Sequence, residues 1–285
     1  MHPPPTTDGE TSARVLAGIG RVLVWNGGSV WIGRNAGQGR LHSHHAIQIT
    51  LAASQPVHIR AGKDETWLET FSAIVMPDRL HQFDGCGQAV ATVFVEPETS
   101  AGRALATRYG QQDVCLLSDD RLDAQSAALH AVFDARGADE ALIAAAQRVV
   151  AHLADAPLAE APVDPRIATV LEQIHERPGE AMSLSQAAAV AHLSPSRFRH
   201  LFVAQTGITF RAYLLWARVG YAVASGMTGS SWTEAAQQAG FADSAHLSRT
   251  CRRMFGVAPT MLVREDVSVV KESVAKRVRG GLAAA

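Results

Sequence analysis

Three imidazoles and one amide crowd one short stretch of this 285-residue chain, His42-Ser43-His44-His45 followed by Gln48, and a further imidazole stands at His81. Neutral imidazole nitrogens ligate divalent metals and an amide oxygen can fill a fourth position, so His42, His44, Gln48 and His81 are candidate ligands for a divalent cation. On an extended strand alternate side chains share a face; that groups His42, His44 and Gln48 and turns His45 toward Ile47, Ile49 and Leu51. The same residues suit a pocket for an organic effector, or hydrogen bonding around the mouth of a barrel. The missing carboxylate weighs against metal. A second set of residues is basic and polar: Ser196, Arg197, Arg199 and His200, then Ser244, Ala245, Ser248, Arg249, Arg252 and Arg253. A guanidinium can bond guanine O6 and N7 bidentately, worth ~1–3 kcal/mol of discrimination, or it can hold phosphate. Either use requires these side chains to project from one face of a helix.

The sequence supplies such helices twice. Leu184, Ala187, Ala188 and Ala191 recur with helical spacing, and Ser183 with Gln186 forms a capping-box pattern at the start. After a turn at His192 and Leu193, Ser194 can cap a second helix with Pro195 at its first position; Phe198, Leu201 and Phe202 face inward and Gly207 stops it. The pattern returns with Trp232, Ala235, Ala236 and Ala239, capped by Ser231 and Glu234. A Gly240-Phe241 turn follows, then a helix capped by Asp243, with Leu247, Thr250 and Cys251 inward and Gly256 as the stop. The spacing predicts two helix-turn-helix units joined by a long helix over 210–227. The second helix of such a unit fits the major groove of duplex DNA and presents the face opposite its buried one.

Upstream, short runs rich in branched and aromatic residues, at 22–25, 29–33, 46–52, 57–60, 66–71, 73–76 and 89–95, are separated by Gly, Asn, Asp and Pro. They predict a small antiparallel β-barrel over 13–98. Residues 99–155 turn helical, and Leu142, Ala145, Ala146 and Val149 mark one apolar face that suits either an intramolecular bundle or a homodimer seam. The proline-bearing stretch 156–165 reads as a linker, 166–264 as the helical domain beginning with a helix at 166–175, 265–285 as a basic C-terminal tail and 1–12 as a disordered leader. The fold class expected is α+β.

Net charge is −1, but residues 1–160 hold 12 Lys and Arg against 18 Asp and Glu, whereas residues 161–285 hold 14 against 9. The basic half is the half with the repeated motif, as a phosphate-facing surface requires. Three cysteines without Cys-x-x-Cys spacing suggest neither a disulfide framework nor a thiolate zinc site, and no apolar run has the length of a signal core or a membrane span; cytoplasm is the expected setting.

Two phrases, LSPSRFRHLFVAQTGITFRAYLLWARVGYA and EAAQQAGFADSAHLSRTCRRMFGVAPTML, resemble the DNA-binding domain of AraC-type transcription regulators over about the last third of the chain. The resemblance implies that Ser196, Arg199, His200, Ser244 and Arg249 read bases, and that Arg197, Arg218, Arg252 and Arg253 make phosphate or structural contacts. His192 stands where the family usually has Gly, and Cys251 where it usually has Phe, which implies a smaller plug in the second unit's core. Residues 30–95 resemble a cupin: His42, His44, Gln48, Pro77 and His81 match its pattern, with Gln48 in place of the usual Glu. Together they imply an effector-responsive, sequence-specific DNA-binding regulator, not an enzyme, acting as activator or repressor. Its partners would be double-stranded DNA, a small-molecule effector, RNA polymerase and a second copy of itself, with a divalent metal in the barrel as the candidate cofactor. The rival is a metal-dependent cupin enzyme using His42, His44 and His81; it lacks an evident acid or base partner and leaves the duplicated motif unexplained.

Overall fold

A computed structural model describes residues 18–35, 37–63, 65–155, 163–177, 179–180 and 182–264. The expected leader, most of the linker and the tail lie outside them. Strands β1 (Gly18–Trp25) and β2 (Gly28–Asn35) pair through a two-residue Asn26-Gly27 turn. They are followed by β3 (Ile47–Ala52), β4 (Val57–Ala61), β5 (Leu68–Thr70), β6 (Ser72–Val75), β7 (His81–Asp84) and β8 (Ala89–Val95). Next come α1 (Ser100–Tyr109), β9 (Val114–Leu117), α2 (Asp120–Asp134) and α3 (Asp139–Ala154). The C-terminal half contains α4 (Pro165–Glu176), α5 (Leu184–Val190), α6 (Pro195–Thr206), α7 (Phe210–Thr228), α8 (Trp232–Gln238), α9 (Ser244–Phe255) and β10 (Leu262–Arg264).

The strands form a seven-stranded sheet, ordered β10-β1-β2-β8-β3-β6-β9, and a three-stranded sheet, β5-β4-β7. Pairing is antiparallel except where β10 runs parallel to β1, with Gly18 opposite Leu262. The seven strands anticipated are present. Three were not anticipated: β7, whose HQFD has no β-branched residue and is mostly polar; β9, on the sheet's edge; and β10. His42 and His44 also depart from expectation, because β3 begins only at Ile47; His42 is held instead by an isolated bridge to His81.

Strand alternation divides the large sheet into two buried faces. Val30 and Ile32 of β2, with Val93 and Val95 of β8, point to one side and meet Leu105, Leu129, Leu142 and Val149 of the helices after the barrel. Ala145 and Ala146 of α3 are buried in that same cluster, so the small-residue face considered for a dimer seam is spent within the protomer. Val22, Trp31 and Phe94 point to the opposite side and join Trp216, Val219, Val223, Leu247, Cys251 and Phe255 of the C-terminal half. The second helix-turn-helix unit therefore shares one apolar core with the sheet. The first has its own, built from Ile167, Val170, Ala187, Phe198, Phe202, Phe210 and Tyr213. Each large side chain so buried contributes on the order of 1.5–3 kcal/mol. No described helix is long and apolar enough to cross a membrane.

The first unit meets the sheet domain through polar groups. Tyr213 donates to Glu96 Oε2 at 3.5 Å, and His175 Nε2 lies 3.6 Å from Glu96 Oε1. Beside them the buried His45 and Glu98 pair at 2.9 Å. Burial alone would raise the Glu96 carboxyl, but the His175 imidazole outweighs it and holds the carboxyl low; burial would lower His175, and Glu96 outweighs that and raises it. The pair's stabilisation is thus complete between the ordinary values of 4.5 and 6.5. It fades as pH falls through the lowered Glu96 value or rises through the raised His175 value. The stability gap between the protein and its His175→Gln variant, measured by thermal unfolding, is expected to be widest in that window and to narrow on either side of it. A gap constant across that range would defeat the ion-pair account.

Candidate DNA-reading face and effector site

Both predicted capping boxes are formed. Ser183 Oγ accepts from the Gln186 amide and Gln186 Oε1 accepts from the Ser183 amide; Ser231 and Glu234 do the same. Helix α6 starts on Ser194, whose hydroxyl accepts from Arg197 N, and α9 on Asp243, which accepts from His246 N. The two turns match in hydrogen bonding: Leu193 N donates to Ala188 O as Phe241 N does to Ala236 O, both at 2.9 Å. His192 adopts a φ of 53°, close to the 73° of Gly240, so the His at this corner takes up the left-handed conformation the turn needs.

Inward, Phe198 and Phe202 are fully buried and pack edge-on against Phe210, both at 5.4 Å between ring centroids; Leu201 is only half-buried, where a buried place was expected. Behind α9, Leu247, Thr250, Cys251 and Phe255 are buried. Burial pushes the Cys251 thiol up to about 12, the behaviour of a small apolar plug rather than a reactive group.

Outward, Ser196, Arg197, Arg199 and His200 of α6 are exposed, as are Ala245, Arg249, Arg252 and Arg253 of α9, while Ser244 and Ser248 are half-buried. These arginines form no salt bridge among the described residues, so their guanidinium donors face solvent. Arg218, grouped with them on resemblance, instead sits on α7 with its Nε buried and Nη2 donating to Glu180 O at 3.4 Å.

Among the strands of the N-terminal half His42, His44 and His81 converge, each offering a ring nitrogen within 4.8 Å of the others, and all three are buried. Burial lowers every one of these imidazoles, His42 to about 3, so they are neutral. Each Nδ1 lies 2.8 Å from a backbone carbonyl, of Arg40, Ala46 and Arg79 respectively, which fixes the single ring proton there and leaves Nε2 bare. Gln48 Oε1 faces the bare Nε2 of His44 at 3.0 Å and of His81 at 3.3 Å, while Gln48 Nε2 donates to Thr50 Oγ1. Lone pairs thus face lone pairs. Two arrangements relieve this: the amide reversed, so that its NH₂ donates to both rings, or a cation at the centre. The donor set fits a divalent metal, since backbone carbonyls orient all three imidazoles as they do in known metal sites. His45, by contrast, turns away to Glu98.

Beside this cluster lies a cavity of about 110 Å³ between the sheet and the C-terminal half. His42, Gln48 and Phe94 line one side and Met227, Phe255 and Val257 the other. Sequence reasoning found the first wall but not the second, because nothing in a linear pattern joins residues so far apart.

The profile of a helix-turn-helix domain family matches residues 187–265. No curated protein matches the chain by sequence. Among solved structures the chain is similar to ToxT from Vibrio cholerae O395, at 13% identity over 82% of this chain and 95% of that one, with a TM-score of 0.53. It is similar to an apo ToxT point variant from V. cholerae strain SCE256, at 9% identity over 84% and 97% with a TM-score of 0.57. A third is wild-type ToxT from that strain with unsaturated fatty acid bound, at 11% identity over 81% and 92%, TM-score 0.51.

Proposed function

We propose that this chain, which matches a helix-turn-helix domain family over residues 187–265 and is similar in fold to ToxT, is a cytoplasmic, sequence-specific transcription regulator of the AraC type. It grips duplex DNA through α6 and α9, and an effector held at the N-terminal barrel sets its affinity. The observation that carries this reading is the pair of capped helices whose outward arginines are exposed and form no salt bridge among the described residues. Arg199 and Arg249 are assigned to base edges, with Ser196, His200, Ser244, Ala245 and Ser248 around them, and Arg197, Arg252 and Arg253 to phosphates. RNA polymerase is the natural partner of such a domain on a promoter; a second copy of the chain would dock on a surface other than the buried α3 face.

The effector site is the cavity between sheet and helices together with the imidazole cluster on its wall. Its lining is mostly apolar, which suits a small apolar organic molecule, and the structure of a similar protein contains a fatty acid. Its volume falls well short of the ~300–1,000 Å³ of drug-sized pockets, so a larger effector must part the two walls. His42, His44, His81 and Gln48 would hold a divalent metal, which would supply a positive charge tying the segment before β3 to β7.

Footprinting on DNA flanking the coding region identifies the operator, and gel shifts then test the reading. Affinity is expected to fall steeply between low and moderate salt through counterion release. Arg249→Ala is expected to weaken operator binding by about tenfold or more while leaving a random duplex nearly unaffected. Equal loss on both duplexes moves Arg249 to the phosphate contacts; no shift at either salt removes the DNA-binding reading.

A further inference from the structure

The two helix-turn-helix units have separate apolar cores and meet through α7, whose successive turns serve one core and then the other: Phe210 and Tyr213 the first, Trp216, Val219 and Val223 the second. At 19 residues α7 is ~28 Å long, and helices of that length curve gently, so its length alone does not fix the spacing of the two units. A brace is present. The segment after α4 lies against the turn after α8 so closely that a Cβ on Gly179 would stand 1.8 Å from Gln238 O, and one on Gly240 would stand 2.8 Å from Gly179 O. Arg218, from the middle of α7, reaches into this contact: Nη2 donates to Glu180 O, and its guanidinium lies 3.6 Å from where a Gly240 Cβ would be. Its Nε is buried and has no hydrogen-bond partner among the described residues.

We propose that Arg218, Gly179 and Gly240 form a clasp that fixes the separation of α6 and α9, so that the protein accepts its two DNA boxes at a single spacing. This rests on the DNA-binding reading above. Arg218 is then a positioning residue: it need not touch DNA, yet it determines which DNA is bound. One added base pair carries the second box roughly 3.4 Å along the duplex and ~35° around it, a displacement a clasped pair cannot follow and a hinged pair can.

The test is repeated selection from a pool of random duplexes by the full-length protein, by Arg218→Ala and by Gly179→Ala, followed by sequencing of the enriched DNA. The unaltered protein is expected to enrich two boxes at one separation, preferred over neighbouring separations by on the order of tenfold, the cost of one mismatched contact. Both variants are expected to enrich the same boxes with that preference reduced to about threefold or less, or moved by a base pair. Should Gly179→Ala fail to fold by circular dichroism, Arg218→Ala decides alone. Variants that keep the original separation as sharply overturn the clasp while leaving DNA binding intact. An unaltered protein that enriches no duplex overturns the clasp and the DNA-binding reading together.

Discussion

Replacing Phe255 with alanine is expected to destabilise the sheet domain and the second helix-turn-helix unit together, by about 3–5 kcal/mol. Phe255 ends α9, yet its ring centroid lies 4.7 Å from that of Trp31 on β2 and 5.6 Å from those of Phe94 on β8 and Trp216 on α7. Deleting it removes the apolar area of one ring and leaves a cavity at a place where strands and helices meet, so neither side can relax without moving the other. The melting temperature is expected to fall on the order of 10 °C. Because Trp31 and Trp216 flank the site, tryptophan fluorescence and far-ultraviolet circular dichroism should report one shifted transition. Two transitions, with the strand signal unmoved, would show that the barrel does not depend on α9 and would refute the shared core.

Protein purified without an affinity tag and dialysed against zinc is expected to retain about one equivalent, and the His42→Ala/His44→Ala double variant to bind more than ~100-fold more weakly, since even outer-shell partners of metal ligands cost 10–100-fold. The expectation follows from hydrogen-bond accounting. Three carbonyls hold the ring protons of His42, His44 and His81, and Gln48 presents an oxygen to two of the bare nitrogens, so four lone-pair atoms share one buried space. A cation satisfies all four. If the protein binds no zinc and its thermal stability ignores zinc and chelator alike, the reversed amide is the resting arrangement and the metal reading of the site falls.

What could be read from the sequence was whatever depends on neighbours along the chain. Both capping boxes, the starts at Pro195 and Ser244, and the stops at Gly207 and Gly256 follow from side chains that bond to backbone within four residues, so their spacing alone reveals them. The convergence of His42, His44, Gln48 and His81 was also recoverable, although through a bridge rather than along one strand. The far wall of the cavity was not. Trp31 on β2 alternates with Val30 and Ile32 like any strand residue in a two-faced sheet, and no local signal says that its partner is Phe255. The Glu96 and Glu98 junction was hidden for the same reason, since both read as loop residues beside Pro97 until His175, Tyr213 and His45 are brought to them. Strand β9 is four residues long and β10 three, too short for a period to declare itself.

The parallel ladder between β1 and β10 has a consequence for the life of the chain before it is finished. Leu262 pairs with Gly18, so the outer strand of the large sheet is supplied by the last described residues to be synthesised. At about 5–20 residues per second a ribosome needs on the order of tens of seconds to travel from one strand to the other, and throughout that time β1 waits with an open edge. A nascent chain of this protein therefore holds its large sheet one strand short until the C-terminal half has emerged, and termination anywhere before Leu262 leaves the Gly18–Gly20 edge of β1 uncovered.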